Sequence, residues 1–193
     1  MAVRDQLTGA TADLMRRYGV AGTGIADILK KSGVARRSIY LNFPGGKAEL
    51  VCATTRMSGE AITTIMRTLM RTPDPIGAFA EMWSSVLIDS DFDAGCPVVA
   101  AALGRHSAPE ATDVAVEVFA DWRTVSAERL VADGVDPQLA ESLAITIVAA
   151  IEGAVIMAQA ERSTRPLLEV AARLNDLVAA HLPASSPHDP GDA

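Results

Sequence analysis

In the stretch GVARRSIYLNFPGGKAEL, residues 33–50, Arg36 and Arg37 fall where one helix should begin and Lys47 where the next should begin. A helix N-terminus carries partial positive charge, so a cation there costs roughly 0.3–1 kcal/mol. The cost becomes a gain when a polyanion occupies the same space and is held by the cations and the helix N–H groups together. A guanidinium, moreover, can form the bidentate pair with guanine O6 and N7, and Tyr40 and Asn42 suit phosphates or adenine. The chemistry these residue types point to is recognition of duplex nucleic acid. Three ordinary cations on a solvated surface would be the plainer reading.

The local pattern explains how such residues would be positioned. Leu7, Ala10, Leu14 and Tyr18 recur at helical spacing, and Gly19 fits the end of that first helix. A second helix is expected from about Gly24 to Ser32, with Ile25, Ile28 and Leu29 on one face and Lys30 and Lys31 in the last turn, where cations suit the dipole. Gly33 and Val34 make a turn, and ARRSIYLNF gives a third helix stopped by Pro44. Steps of 100° place Ala35, Ile39 and Phe43 inward and Arg37, Ser38, Tyr40 and Leu41 outward, with Arg36 on the flank. Two helices joined by a short glycine turn, the second bearing exposed basic and polar groups, form a helix-turn-helix layout.

Charge divides along the chain. The net charge of −7 argues against a polyanion partner, yet residues 1–50 carry eight Lys/Arg against four acids, +4, leaving nine bases and twenty acids, −11, for the rest. Apolar residues make up 49% but aromatics only 4%, which favours packed helices over sheets, and an all-α chain of about nine helices is expected. Cys52 and Cys96 have no metal-ligand spacing, the N-terminus lacks an apolar leader run, and a cytoplasmic location is expected. His106, His181 and His188 join no nucleophile, metal or phosphate-loop motif, so neither a metal, a cofactor nor catalysis is expected. The long apolar run 143–160 has Glu152 at its middle and is alanine-rich, which speaks against a membrane span and for a helix buried on two sides.

The run TGIADILKKSGVARRSIYLNFPGGKAEL, Thr23 to Leu50, resembles the DNA-binding signature of the tetracycline-repressor (TetR) family of bacterial regulators, with Ile28, Gly33, Val34, Tyr40, Phe43, Lys47 and Leu50 in register. FPGGK and GCPVVAAAL, the latter at 95–103, resemble the LmrA/YxaF-like subgroup. The sequence departs from the family pattern at Gly24, Ala35 and Arg37, and Ala35 offers no side-chain cap to the third helix. The resemblance implies a helix-turn-helix domain, placed at 1–47, and a helical ligand-binding and dimerisation domain at 48–182; the tail 183–193, with three prolines, little apolar content and no periodicity, is expected to be disordered. It implies a homodimeric regulator, most simply a repressor, released from operator DNA by a small apolar or aromatic effector. An adaptor that has lost DNA binding, or an all-α enzyme, are the other classes considered. DNA-contacting candidates are Thr23, Arg36, Arg37, Ser38, Tyr40, Leu41, Asn42 and Lys47.

The aromatics of the second part, concentrated at few positions, suggest a pocket for a flat apolar molecule at Phe79, Trp83, Cys96, Phe119 and Trp122. Small and apolar residues on the last two helices, Ala149, Ala150, Gly153, Ala154 and Ala158 with Leu168, Ala171, Leu174 and Val178, suggest the surface where two copies meet.

Overall fold

Five prolines open five helices. Pro75, Pro97, Pro109, Pro137 and Pro166 each occupy the first or second helical position, where a missing N–H costs nothing. With four helices before them they complete an all-helical architecture of nine elements in the computed structural model, which describes residues 2–183. The tail expected at 183–193 lies, apart from Pro183, outside the described residues.

The order is α1 (Val3–Tyr18), α2 (Ile25–Ser32), α3 (Arg36–Asn42), α4 (Gly46–Leu69), α5 (Pro75–Asp89), α6 (Pro97–Ala102), α7 (Pro109–Ala132), α8 (Pro137–Glu161) and α9 (Arg165–Ala179). Two apolar cores form. Leu7, Leu14, Ile28, Ile39, Phe43 and Leu50 make a small one among α1–α3 and the start of α4. The larger one is built by α4–α9, with α7 packed between α4 and α8 and α9 laid across α5 and α8. Met15 of α1 and Val51 of α4 belong to the larger core, while Leu14 and Leu50 beside them belong to the smaller. No linker separates the two: α1 and α4 are shared, and successive residues of each serve different cores.

Two features of the amino-terminal part differ from the helical-wheel expectation. Tyr18 is exposed, its ring lying along a surface groove beside Leu14, Lys30 and Lys31. Ala35 is the exposed N-cap of α3, outside the helix whose inward face it was expected to join, and it makes no side-chain cap bond.

Candidate nucleic-acid interface and inner cavity

Ile39 and Phe43 are fully buried and fix the rotation of α3. That rotation leaves Arg36, Arg37, Tyr40 and Leu41 on the outer surface, with Ser38 half-buried. Gly33 joins α2 to α3 at φ 68° and ψ 10°, the left-handed conformation that a β-carbon disfavours. Gly46, at φ +67°, begins α4 with the Tyr40 ring edge 3.5 Å from where its β-carbon would stand. The turn and the aromatic thus lock the angle between α3 and α4.

Arg4 reaches across from α1. Its guanidinium lies 4.3 Å from the centre of the Phe43 ring and donates to the Asn42 carbonyl oxygen at 2.8 Å. It clamps the end of α3, a positioning role that periodicity could not reveal. Asn42 itself turns inward: its Nδ2 donates to the Ser38 carbonyl oxygen at 2.8 Å, so that donor pair is partly spent on the helix instead of facing a base. Thr23 is not a surface residue at all. It is fully buried, and its hydroxyl donates to the Gly19 carbonyl oxygen at 2.8 Å to close the loop between α1 and α2, which removes it from the contact surface.

Lys47 stands half-buried in the first turn of α4 and donates from Nζ to the Val20 carbonyl oxygen at 3.2 Å, leaving two of its three N–H groups for an outside acceptor. The N–H of Gly45 already donates to Glu49 Oε2 at 2.8 Å and that of Gly46 to the Phe43 carbonyl, so neither is left to meet a phosphate. Several other cations of this part are engaged internally. Asp13 of α1 gathers Arg16 at 2.6 Å, Arg17 at 3.3 Å and Lys31 of α2. Burial by itself would raise that carboxyl, but hydrogen bonds from Lys31 and Arg16 and the nearby positive charges outweigh it and hold the group at about 2. Lys30, Arg36 and Arg37 remain exposed, without an ion-pair partner among the described residues.

The larger core holds a partly open apolar cavity of about 30 Å³, room for about one water molecule. Met66 of α4 and Met70 just after it, Ile76 and Phe79 of α5, Trp122 and Ser126 of α7, and Ile147, Ile151 and Glu152 of α8 line it. Phe79 and Trp122, expected at a pocket, are there. Phe119 lines an adjoining surface groove between α7 and α8 that shares Val148 and Glu152 with the cavity, and its ring packs edge-on against Trp122 at 5.3 Å. Trp83 and Cys96 do not line the cavity. Trp83 is buried in the core behind Phe79, 6.5 Å from it edge-to-face, and Cys96 is buried at the start of α6. Apart from Phe79 and Trp122, the lining was not found by sequence reasoning, Met66, Met70 and Glu152 included; a lone acid centred in an 18-residue apolar run was the signal for the last.

Burial raises the Glu152 carboxyl from 4.5 to about 7, with the neighbouring Cys96 thiol opposing part of the rise. Its Oε2 is buried with no hydrogen-bond partner among the described residues. Burial, followed by the adjacent Glu152 charge, pushes the Cys96 thiol well up, so the thiolate is disfavoured.

The expected dimer surface needs correction. Ala154, Ala158, Ala171 and Leu174 are buried within their own subunit, packing α8 and α9 onto the larger core, and they have no surface to give a partner. Ala150 and Val178 are half-buried against the same core. Ala149 and Leu168 are exposed, and a β-carbon added at the half-buried Gly153 would meet nothing within 4 Å. Ile145, Ile156 and Met157 extend that outward apolar face of α8. Because α8 is apolar all round, the pattern alone could not separate its two faces.

Comparison with known proteins gives one consistent result over most of the chain. Residues 7–54 match the family model described as bacterial regulatory proteins, tetR family, and residues 74–173 match the transcriptional regulator LmrA/YxaF-like C-terminal domain. An HTH-type transcriptional regulator of Mycobacterium tuberculosis is 31% identical, over 95% of this chain and 97% of its own. The HTH-type transcriptional regulator LmrA of Bacillus subtilis is 28% identical, over 91% and 96%. In fold, the chain is similar to the crystal structures of a TetR regulatory protein from Rhodobacter sphaeroides, at TM-score 0.79 and 19% identity over 94% and 99% of the chains. The reduced form of NemR from E. coli is similar at TM-score 0.77 and 19% identity over 95% and 100%.

Proposed function

Since this chain belongs to the TetR family of bacterial transcriptional regulators, with the LmrA/YxaF-like C-terminal domain, and is not an enzyme, we propose that it is a cytoplasmic homodimeric repressor whose grip on operator DNA is relaxed by a small apolar or aromatic effector. The observation that carries this reading is the exposed row Arg36, Arg37, Tyr40 and Leu41 on a helix whose rotation is fixed by the buried Ile39 and Phe43. In a two-fold dimer two such helices enter successive major grooves about 34–36 Å apart, so the operator is a near-palindrome. Arg36 reads base edges, and Arg37, Ser38, Tyr40 and Leu41 line the groove contact. Lys47 takes a backbone phosphate with the N–H groups that its bond to Val20 leaves free. Asn42 contributes through its side-chain oxygen, the group its bond to Ser38 leaves unused.

The division at 47/48 is our reading of the domain boundary; the change of core itself falls slightly later within α4, between Leu50 and Val51. The outward face of α8 and α9, with Ile145, Ala149, Ile156, Met157 and Leu168, is the surface a second copy covers. The effector enters the cavity between Phe79 and Trp122 and stabilises a conformation whose recognition helices are wrongly spaced. Effector and operator then oppose each other reciprocally.

Selection of the purified protein against a random duplex library, followed by binding to the enriched sequence across a salt series, tests the reading. A near-palindrome bound at nanomolar range with a steep salt slope is expected. No enrichment and no binding at low salt would leave a helical ligand-binding or adaptor protein.

A further inference from the structure

Among the described residues Glu152 is the one ionisable side chain of the cavity lining, placed in the middle of α8 with its Oε2 buried and unpartnered. The walls around it are aromatic rings, thioethers and branched chains: Phe79, Trp122, Met66, Met70, Ile147 and Ile151. The other hydroxyl in the lining, Ser126, already donates to the Trp122 carbonyl oxygen at 2.9 Å. Ionising an acid in such surroundings is costly; the Cys96 thiol offsets part of that cost, and a donor or an opposite charge arriving from outside the chain would offset more. No Lys, Arg or His lines the cavity among the described residues. The site therefore disfavours anions, and its π faces and thioethers favour the positive end of a molecule with an apolar body.

We propose that the effector is a lipophilic cation, an amine or quaternary ammonium on an apolar or aromatic frame, whose positive centre pairs with the Glu152 carboxylate while its frame lies between Phe79 and Trp122. This rests on the reading of the cavity as the effector site and specifies its chemical class. The groove lined by Phe119 and Val148 shares Glu152 with the cavity and gives the path by which the molecule arrives. The titratable and charged groups that face Glu152 are the Cys96 thiol at the start of α6 and, across the groove, Arg123 of α7; α4 and α5 present none in the lining. Burial holds the Cys96 thiol well above its ordinary value, so the pH response near neutrality is set by Glu152.

Two probes of nearly equal shape separate charge from fit: benzyltrimethylammonium and its neutral isostere neopentylbenzene. Calorimetry and tryptophan fluorescence on the purified full chain, without DNA, read both. The ammonium is expected to bind about tenfold more tightly at pH 8 than at pH 6, because the carboxyl must ionise near 7 to receive it. Titration near pH 7 in buffers of different ionisation enthalpy then shows proton release on binding. Neopentylbenzene binds with no pH dependence, and E152Q loses at least tenfold for the ammonium while keeping its affinity for the neutral compound. If the neutral isostere binds and the ammonium does not, or the ammonium binds without pH dependence or proton release, the cavity is an effector site but not one for cations, and this inference falls alone. If neither probe binds at millimolar concentration, the effector reading of the cavity falls with it. Operator binding is judged separately by the selection experiment.

Discussion

The backbone N–H of Gly95 donates to the carbonyl oxygen of Arg16 at 3.0 Å, joining the loop ahead of α6 to the last turn of α1. Cys96 follows immediately and lies against Glu152, so four residues lead from the cavity to a helix of the small core. The same loop is tied sideways. Arg162, in the left-handed conformation at the end of α8, pairs with Asp91 at 2.7 Å and Asp93 at 4.0 Å, and Asp93 faces Arg17 of α1 at 3.7 Å. Asp91 and Phe92 also hold positive φ, so the backbone strain of the non-glycine residues described is concentrated in this junction.

Asp93→Ala is expected to leave operator affinity without effector within about twofold and to shrink effector-induced release about two- to fivefold, the scale of an exposed ion pair. Fluorescence anisotropy on labelled operator, with and without benzyltrimethylammonium, measures both quantities. Unchanged release would show that the junction carries no coupling through this pair.

Lys47→Ala should weaken binding to every duplex alike and lower the salt slope by about one. Arg36→Ala should instead flatten base preference at one position of each half-site, at about 1–3 kcal/mol. Parallel titrations on the selected operator and on a scrambled duplex tell the two apart, and equal losses for Arg36→Ala on both would remove it as a base reader.

Ile156→Asp places a charge on the outward face of α8 without entering the core. Its expected result is a monomer by sedimentation, with helical content retained and operator affinity reduced at least a hundredfold, because the two half-sites are then bound independently. A variant that sediments as the wild type does would move the dimer surface elsewhere.

The Glu152 carboxyl titrates at about 7 in the fold against 4.5 as its ordinary value, so between these the folded chain holds a proton that the unfolded chain has released. Stability from this group is complete below pH 4.5, declines as pH rises towards 7, and is level above it, a total of about 3 kcal/mol. E152Q should remove that decline. Urea unfolding at pH 5 and pH 8 checks it: the wild type loses stability over this interval relative to the variant, and parallel behaviour of the two would contradict the burial argument.

How far the molecule was legible in its sequence follows from what each residue does. Prolines and the Gly33 turn act within one or two residues of themselves, so the helix order, the helix-turn-helix and the outward face of α3 could be read from local pattern. Thr23 could not, because its burial depends on how the loop after Gly19 folds back. Asn42 and Arg4 are decided by bonds made after α3 has docked on α1. Ala154 and Ala158 were misplaced for a different reason. On a helix with apolar residues on every side, periodicity carries no information about which side meets the core. Glu152 was visible as an anomaly, but only the cavity beside it gives the anomaly a chemical meaning.

The cavity in this structure has room for about one water molecule. A molecule small enough to fit that space unaided leaves this conformation as it is, and it shifts the protein only if another conformation binds it differently. A larger one binds only by spreading Met66 and Met70, at and just beyond the far end of α4, from Phe79 and Trp122, and the work of spreading is subtracted from its affinity. Potency and efficacy are thereby separated. Across a series of compounds, the power to free DNA should track the volume each one forces open, and the best binders need not be the best inducers.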